Sequence, residues 1–241
     1  MNEVKEITVL AVTKMHGGVC SAGIDSSGNW VRPIRKPASS HWERSGITDY
    51  CLLPIDFFHG GRSHLTNLGI TRIHLTEPRP RPPHIEDWLL DTCKKPELIR
   101  KLSQDEQAAF LAANTEGDLS ALEPLRSRSL ALVRSNEFSF RFRQNVSADD
   151  VAVRASFRIG NRLFADIGCT DLRMRALGRM LLAGPDAAPV ELSHLDFKRR
   201  GKTATYLAVG LSRLYQDKHW LIVVGVHSIP EMEIDVDYAR L

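Results

Sequence analysis

Cysteine is sparse: the chain has four, at Cys20, Cys51, Cys93 and Cys169, far apart and without a C-x-x-C pair. This spacing argues against a disulfide framework and against a thiolate zinc site, and it suits buried thiols in a reducing cytoplasm. No run approaches the roughly 18 apolar residues that a membrane-spanning helix needs. The opening stretch MNEVKEITVL lacks the basic start, apolar stretch and small-residue cleavage site of a secretory signal, so the expected location is cytoplasmic. G-x-S-x-G, a Walker A loop and a dinucleotide-binding glycine fingerprint are all missing, which removes the commonest sequence grounds for a hydrolase, an NTPase or a nicotinamide enzyme. His59 and His64 flank a GGRS turn, but no carboxylate or cysteine stands near them at a zinc spacing. No cofactor is expected.

What is present is a chain of 241 residues, 43% hydrophobic and 25% charged, enough for one large domain or two small ones. Its formal net charge is only +3, but the charge is unevenly placed. Residues 126–202 hold 15 Lys/Arg against 8 Asp/Glu, a local balance of +7, while the remainder balances to −4. A basic half points to a polyanionic partner.

Hydrophobic periodicity predicts many short strands. EITVLAVT (6–13) is apolar on both faces, KMHGG turns the chain at Gly17 and Gly18, and VCSAGI and NWVRPI follow as strands. Residues 35–48 look like a loop. A strand is predicted over 49–58, with Pro54 marking an edge or a bulge, and another over 68–76. The prolines of EPRPRPP exclude helix. Pro96 suits a first helical turn, and Ser103 with Glu106 forms a capping-box pattern for a helix to about Asn114. Strands are predicted near 129–134, 137–143, 151–159 and 162–167. A helix capped by Thr170 is expected over 171–182, a loop over 183–202, and a closing hairpin from 203–214 and 219–228 around YQDK. Without βαβ alternation the expected class is mainly β (β-rich α+β): two antiparallel β-barrel-like units with short helical insertions, divided as 1–118 and a basic 119–241, with a single, more elaborate sandwich as the alternative.

The segment FSFRFRQ is the sharpest functional signal. In a strand, Phe138, Phe140 and Phe142 share one face, and Ser139, Arg141 and Arg143 the other. The following stretch repeats the pattern, with Val153, Ala155, Phe157 and Ile159 opposite Arg154, Ser156 and Arg158. If these strands pair, four arginines occupy one sheet surface, and the planar guanidinium fork suits phosphate. The loop DFKRRGKT adds Lys198, Arg199, Arg200 and Lys202 as a second phosphate-attracting cluster. Trp30 and Arg32, two apart in a strand, could stack a base and hold the next phosphate, although Trp30 also suits a barrel core. Trp88 and Trp220 lie in apolar contexts that suggest packing. A competing pattern is Pro185-Asp186 followed by Asp196-Phe197-Lys198, the loose spacing of metal-dependent PD-(D/E)xK nucleases, in which two carboxylates would share a Mg²⁺ beside the lysine.

Several stretches together resemble the dual-OB-containing domain family of prokaryotic conflict and defence genes. They are ITVLAVTKMHGGVCSAGID with GNWVRPI, then PPHIEDWLLD, IGCTDLRMR and the closing YLAVGLSRLYQDKHWLIVVGVHS. The resemblance implies two OB folds and a nucleic-acid-binding role, single-stranded or structured DNA or RNA being the partner, and no established catalytic residues. OB folds also bind proteins, so an adaptor of a defence complex is the other non-enzymatic reading.

Overall fold

The first long strand is apolar over residues 7–13, and there both of its faces are buried. In the computed structural model, which describes residues 3–15, 18–35, 51–122, 128–145, 150–182 and 187–238, this strand is β1 (Glu3–Met15). Its later part pairs antiparallel with β2 (Gly18–Asp25) and its earlier part with β6 (Gly69–Pro78). A bulge between Val9 and Ala11 bends it between the two tasks. Opposite the bend stands Gly23, where any Cβ would lie 2.4 Å from the Thr8 carbonyl oxygen, so the glycine lets the two backbones close up.

β3 (Trp30–Ile34) pairs antiparallel with β2 and parallel with β7 (Asp87–Leu90), and β7 returns to β6. The order β1-β2-β3-β7-β6-β1 closes a five-stranded barrel. Between β3 and β6 lie a helical turn, α1 (Pro54–Phe57), and a two-residue ribbon, β4 (Phe58–His59) with β5 (Arg62–Ser63). β8 (Glu97–Lys101) adds to the outer edge of β6, and α2 (Gln104–Ala113) follows.

The second set of strands has the same plan with one break. β9 (Leu130–Arg134) and β10 (Phe138–Asn145) divide the work of a first strand: β9 pairs with β14 (Ala204–Leu211), and β10 pairs with β11 (Asp150–Ile159). β12 (Arg162–Cys169) pairs antiparallel with β11 and parallel with β15 (Leu221–Ile229), which pairs with β14. Each set thus has one parallel pair, between its third and fifth main strands. α3 (Leu172–Leu181) lies between β12 and β13 (Val190–Ser193), and α4 (His194–Arg199) follows β13, which edges β10. The core of this half joins Phe140, Phe142, Val153 and Phe157 to Leu207 and Val226. α3 packs so closely that a Cβ at Gly178 would lie 2.6 Å from Val151 and 2.9 Å from Phe142.

The chain therefore forms two units, Met1–Glu106 with Pro124–Ser129 and Tyr238–Leu241, and Gln107–Glu123 with Leu130–Asp237. The expected division at 118/119 differs from this one because α2 belongs largely with the second unit and a short return segment with the first. Mainly-β architecture is as expected; several local elements are not. The predicted strand at 49–58 is interrupted by α1, since Pro54 sits at the first helical position and Asp56 accepts a hydrogen bond from the Leu53 amide (2.8 Å). Pro96 does not open a helix: the next residues join β6 as β8, and helix waits for the Ser103–Glu106 box, where the Ser103 amide donates to Glu106 (2.8 Å). The cap of α3 is Asp171, not Thr170; it accepts from the amides of Arg173 (2.7 Å), Met174 (3.0 Å) and Val226 (2.9 Å), tying the helix to β15. The predicted loop at 183–202 contains β13 and α4. Gly17 and residues 36–48 of the predicted turn and loop lie outside the described residues.

Candidate functional site

Alternation in β10 buries Phe138, Phe140 and Phe142 and turns Arg141 and Arg143 outward. β11 does the same, burying Val151, Val153, Ala155, Phe157 and Ile159 while Arg154 and Arg158 stay accessible. The register sets Phe138 against Phe157 and Arg141 directly against Arg154. Two like charges directly opposite in a sheet repel. The structure answers this with Asp166 on β12: Arg141 Nη2 lies 2.8 Å from one carboxylate oxygen and Arg154 Nη2 lies 3.0 Å from the other. β12 bulges against β11 here, and Asp166 takes a left-handed backbone conformation (φ 54°). Its amide donates to Ser156 Oγ (3.1 Å), and Arg154 also donates to its carbonyl. Hydrogen bonding from Arg154, ahead of the field of Arg141, holds the Asp166 carboxyl below its ordinary pKa.

All three side chains remain substantially exposed: 52% for Arg141, 36% for Arg154 and 55% for Asp166. Arg158 pairs with the exposed Glu137 (3.2 Å). Arg143 is exposed and has no ion pair among the described residues. Four arginines thus share one surface with three exposed carboxylates: Asp166, Glu137 and, opposite Arg141 on the neighbouring strand, Glu191. Pairs of this kind are worth at most about 1 kcal/mol each, because water already solvates both partners well. A phosphate can replace the carboxylate at small cost.

The same surface continues across β12 to β15. A side chain at Gly168 would meet the Arg154 guanidinium at 3.5 Å and an Ile222 methyl at 3.8 Å, so these two flank one strip of floor. Two residues before Ile222, Trp220 extends the ladder, its carbonyl accepting from the Ser212 amide (2.8 Å), and alternation places it on Ile222's side. Trp220 is half exposed, its indole N–H donating to the Tyr215 carbonyl (3.1 Å), with Tyr215 and Leu214 still more exposed beside it. The expected packing role of Trp220 is therefore wrong. The turn between Tyr215 and Lys218 lifts these rings outward, with Gln216 and Asp217 both at positive φ.

The other expected residues fall elsewhere. Trp30 and Arg32 are buried in the first unit, where Arg32 meets Asp87 (2.6 Å), Glu86 (3.0 Å) and Ser129 (3.3 Å). Both faces of β3 are buried, so this pair is core and not a ligand-facing surface. Lys198, Arg199 and Arg200 are exposed on and after α4; Arg199 pairs with Asp196 (3.1 Å), and Lys202 donates to the Glu231 carbonyl (3.0 Å). In the nuclease pattern, Asp186 lies outside the described residues. Asp196, the third residue of α4, completes a capping box with the N-cap Ser193, one oxygen accepting from the Ser193 amide (2.8 Å) and hydroxyl (2.7 Å), bonds that lower its pKa. Among the described residues no group of three or more His, Cys, Asp or Glu is placed to hold a metal ion. No helix among them is long and apolar enough to cross a membrane.

Comparison with known proteins adds one finding: a family model described as a dual OB-containing domain matches residues 5–226. No curated protein matches the chain.

Proposed function

We propose that this chain, which belongs to the dual OB-containing domain family, holds single-stranded nucleic acid on the outer β10–β11–β12 surface of its second unit. OB folds bind oligonucleotides across the face of their second and third strands and the loops beside it. In the second unit those strands are β11 and β12, and the hairpin at 212–220 joins the fourth strand to the fifth. Arg141, Arg143, Arg154 and Arg158 supply phosphate contacts, while Trp220 and Tyr215 offer ring faces for unpaired bases. The observation that carries this reading is the register that puts Arg141 and Arg154 side by side on an exposed face of a barrel of this plan. In the first unit the corresponding strands, β2 and β3, are almost wholly buried, which favours the second unit as the binding one.

Within a defence or conflict system, such a chain would present a strand to other components without cutting it. The test is fluorescence anisotropy with single-stranded DNA, single-stranded RNA and duplexes of equal length. The reading expects single strands to bind and duplexes to bind less tightly, since a paired base cannot lie on Trp220. No binding to any of them, with co-purification of a protein partner, would favour the adaptor reading instead.

A further inference from the structure

The break between β9 and β10 opens a cleft of about 510 Å³, roofed by α4 and the start of β14. Ser135, Asn136, Phe138, His194, Lys198 and Lys202 are among its lining residues, and none of the residues lining it is acidic. Carboxylates that adjoin the lining in sequence or through Lys202 are engaged: Glu137 with Arg158, Asp196 with Ser193 and Arg199, and Glu231 with Arg173 (2.6 Å). Lys198, Lys202 and His194 thus line the cleft with no acidic residue in its wall, and the Lys202 ammonium donates to the Glu231 carbonyl (3.0 Å). The aromatic side is equally defined. Phe138 packs edge-on against Phe197 (5.0 Å) and His194 (6.2 Å); both phenyl rings are buried, so the half-buried imidazole of His194 is the ring that the cleft presents to a base or a sugar.

The geometry points to a site for one nucleotide bearing a phosphate monoester. The volume is in the range of small-ligand sites and suits a single nucleotide better than a passing strand. The lysines match a phosphate, and the His194 imidazole offers a ring for the base joined to it. The cleft also adjoins the arginine face: Ser135 Oγ lies 2.9 Å from the carbonyls of both Glu137 and Arg158. The end of a strand that leaves the arginine face at Arg158 is the proposed occupant. The inference deepens the nucleic-acid reading and, for a strand end, rests on it; a free nucleotide presents the same chemistry.

The experiment uses internally labelled single strands of one sequence with a 5′-phosphate, a 3′-phosphate or hydroxyl ends, and a nucleoside monophosphate measured separately by calorimetry. One phosphorylated end should bind about tenfold tighter than the hydroxyl form, the scale of one added charge-assisted hydrogen bond. That preference should vanish in Lys198→Gln, an exposed position, and in Lys202→Ala, each checked for an unchanged melting curve. If all three strands bind alike and the monophosphate does not bind, the cleft proposal falls and the arginine-face reading stands. If a preference exists but survives both substitutions, the phosphate sits elsewhere and the proposal also falls. If no strand binds but the monophosphate does, dependent on Lys198, the cleft is upheld as a free-nucleotide site and the strand reading fails.

Discussion

Arg141 and Arg154 face each other across an antiparallel strand pair and share one carboxylate, that of Asp166. The arrangement keeps two guanidinium groups side by side on an open surface, neutralised only in part and by a group that water can replace. On the proposed reading, Asp166 competes with the phosphate for both guanidinium groups.

Replacing Asp166 with Asn should therefore strengthen binding. The amide keeps the size and loses the charge, so single-strand affinity at low salt should rise about three- to tenfold. Anisotropy titration of the variant beside the parent checks this. An affinity that falls would mean that Asp166 orients the arginines for the ligand and does not compete with it.

The indole of Trp220 and the arginines should separate by their salt response. Trp220→Ala should cost about 1–3 kcal/mol of binding with the salt slope unchanged, because stacking releases no counterions. Each Arg→Ala change on the face should instead make the slope shallower by roughly 0.7, the share of one neutralised phosphate on a single strand. Titrations at several salt concentrations tell the two apart.

Arg32 should behave as a core residue. Removing it strands Asp87 and Glu86 in the interior, and a broken buried pair typically costs about 3–5 kcal/mol. Arg32→Ala should thus lower the stability of the first unit in urea or heat. A nucleic-acid affinity abolished with no change in stability would restore Arg32 as a ligand-facing residue.

The start of α2 should be acid-sensitive. Hydrogen bonds from Arg100, then from Ser103, lower the Glu106 pKa from 4.5 to about 2. A carboxylate depressed in the folded state stabilises it fully above the unfolded pKa, and that contribution is lost as pH falls through the folded one. Fraying of α2 is therefore expected as pH drops from about 4.5 towards about 2. Amide hydrogen exchange along the helix, corrected for the intrinsic pH dependence of exchange, reads this directly. In Glu106→Gln the helix start should fray to the same extent across that window.

Much of this can be read from residue order. The Phe/Arg alternation of β10 and β11 fixes which side chains face inward, because a period of two leaves one apolar face to bury. The Ser103–Glu106 box marks the true start of α2 for an equally local reason. β7 is less visible: its four residues, a Trp between Asp87 and two leucines, carry no periodic signal, and its place in the barrel comes from pairing with β3, more than fifty residues earlier, as well as with β6. Asp166 is hidden in the same way, since only the β12 bulge brings it to Arg141 and Arg154. Trp220 reads as core because Leu221, Ile222, Val223 and Val224 follow it; its exposure depends on where the strand ends and the Tyr215–Lys218 turn begins.

The most direct test is the salt dependence of single-strand binding for the parent and for a variant with Arg141, Arg143, Arg154 and Arg158 all changed to Ala. The slope of log affinity against log salt should be shallower by about 2–3 in the variant, at roughly 0.7 for each phosphate that is no longer neutralised. Equal slopes and equal affinities would contradict the account, because the strand would then lie on some other surface.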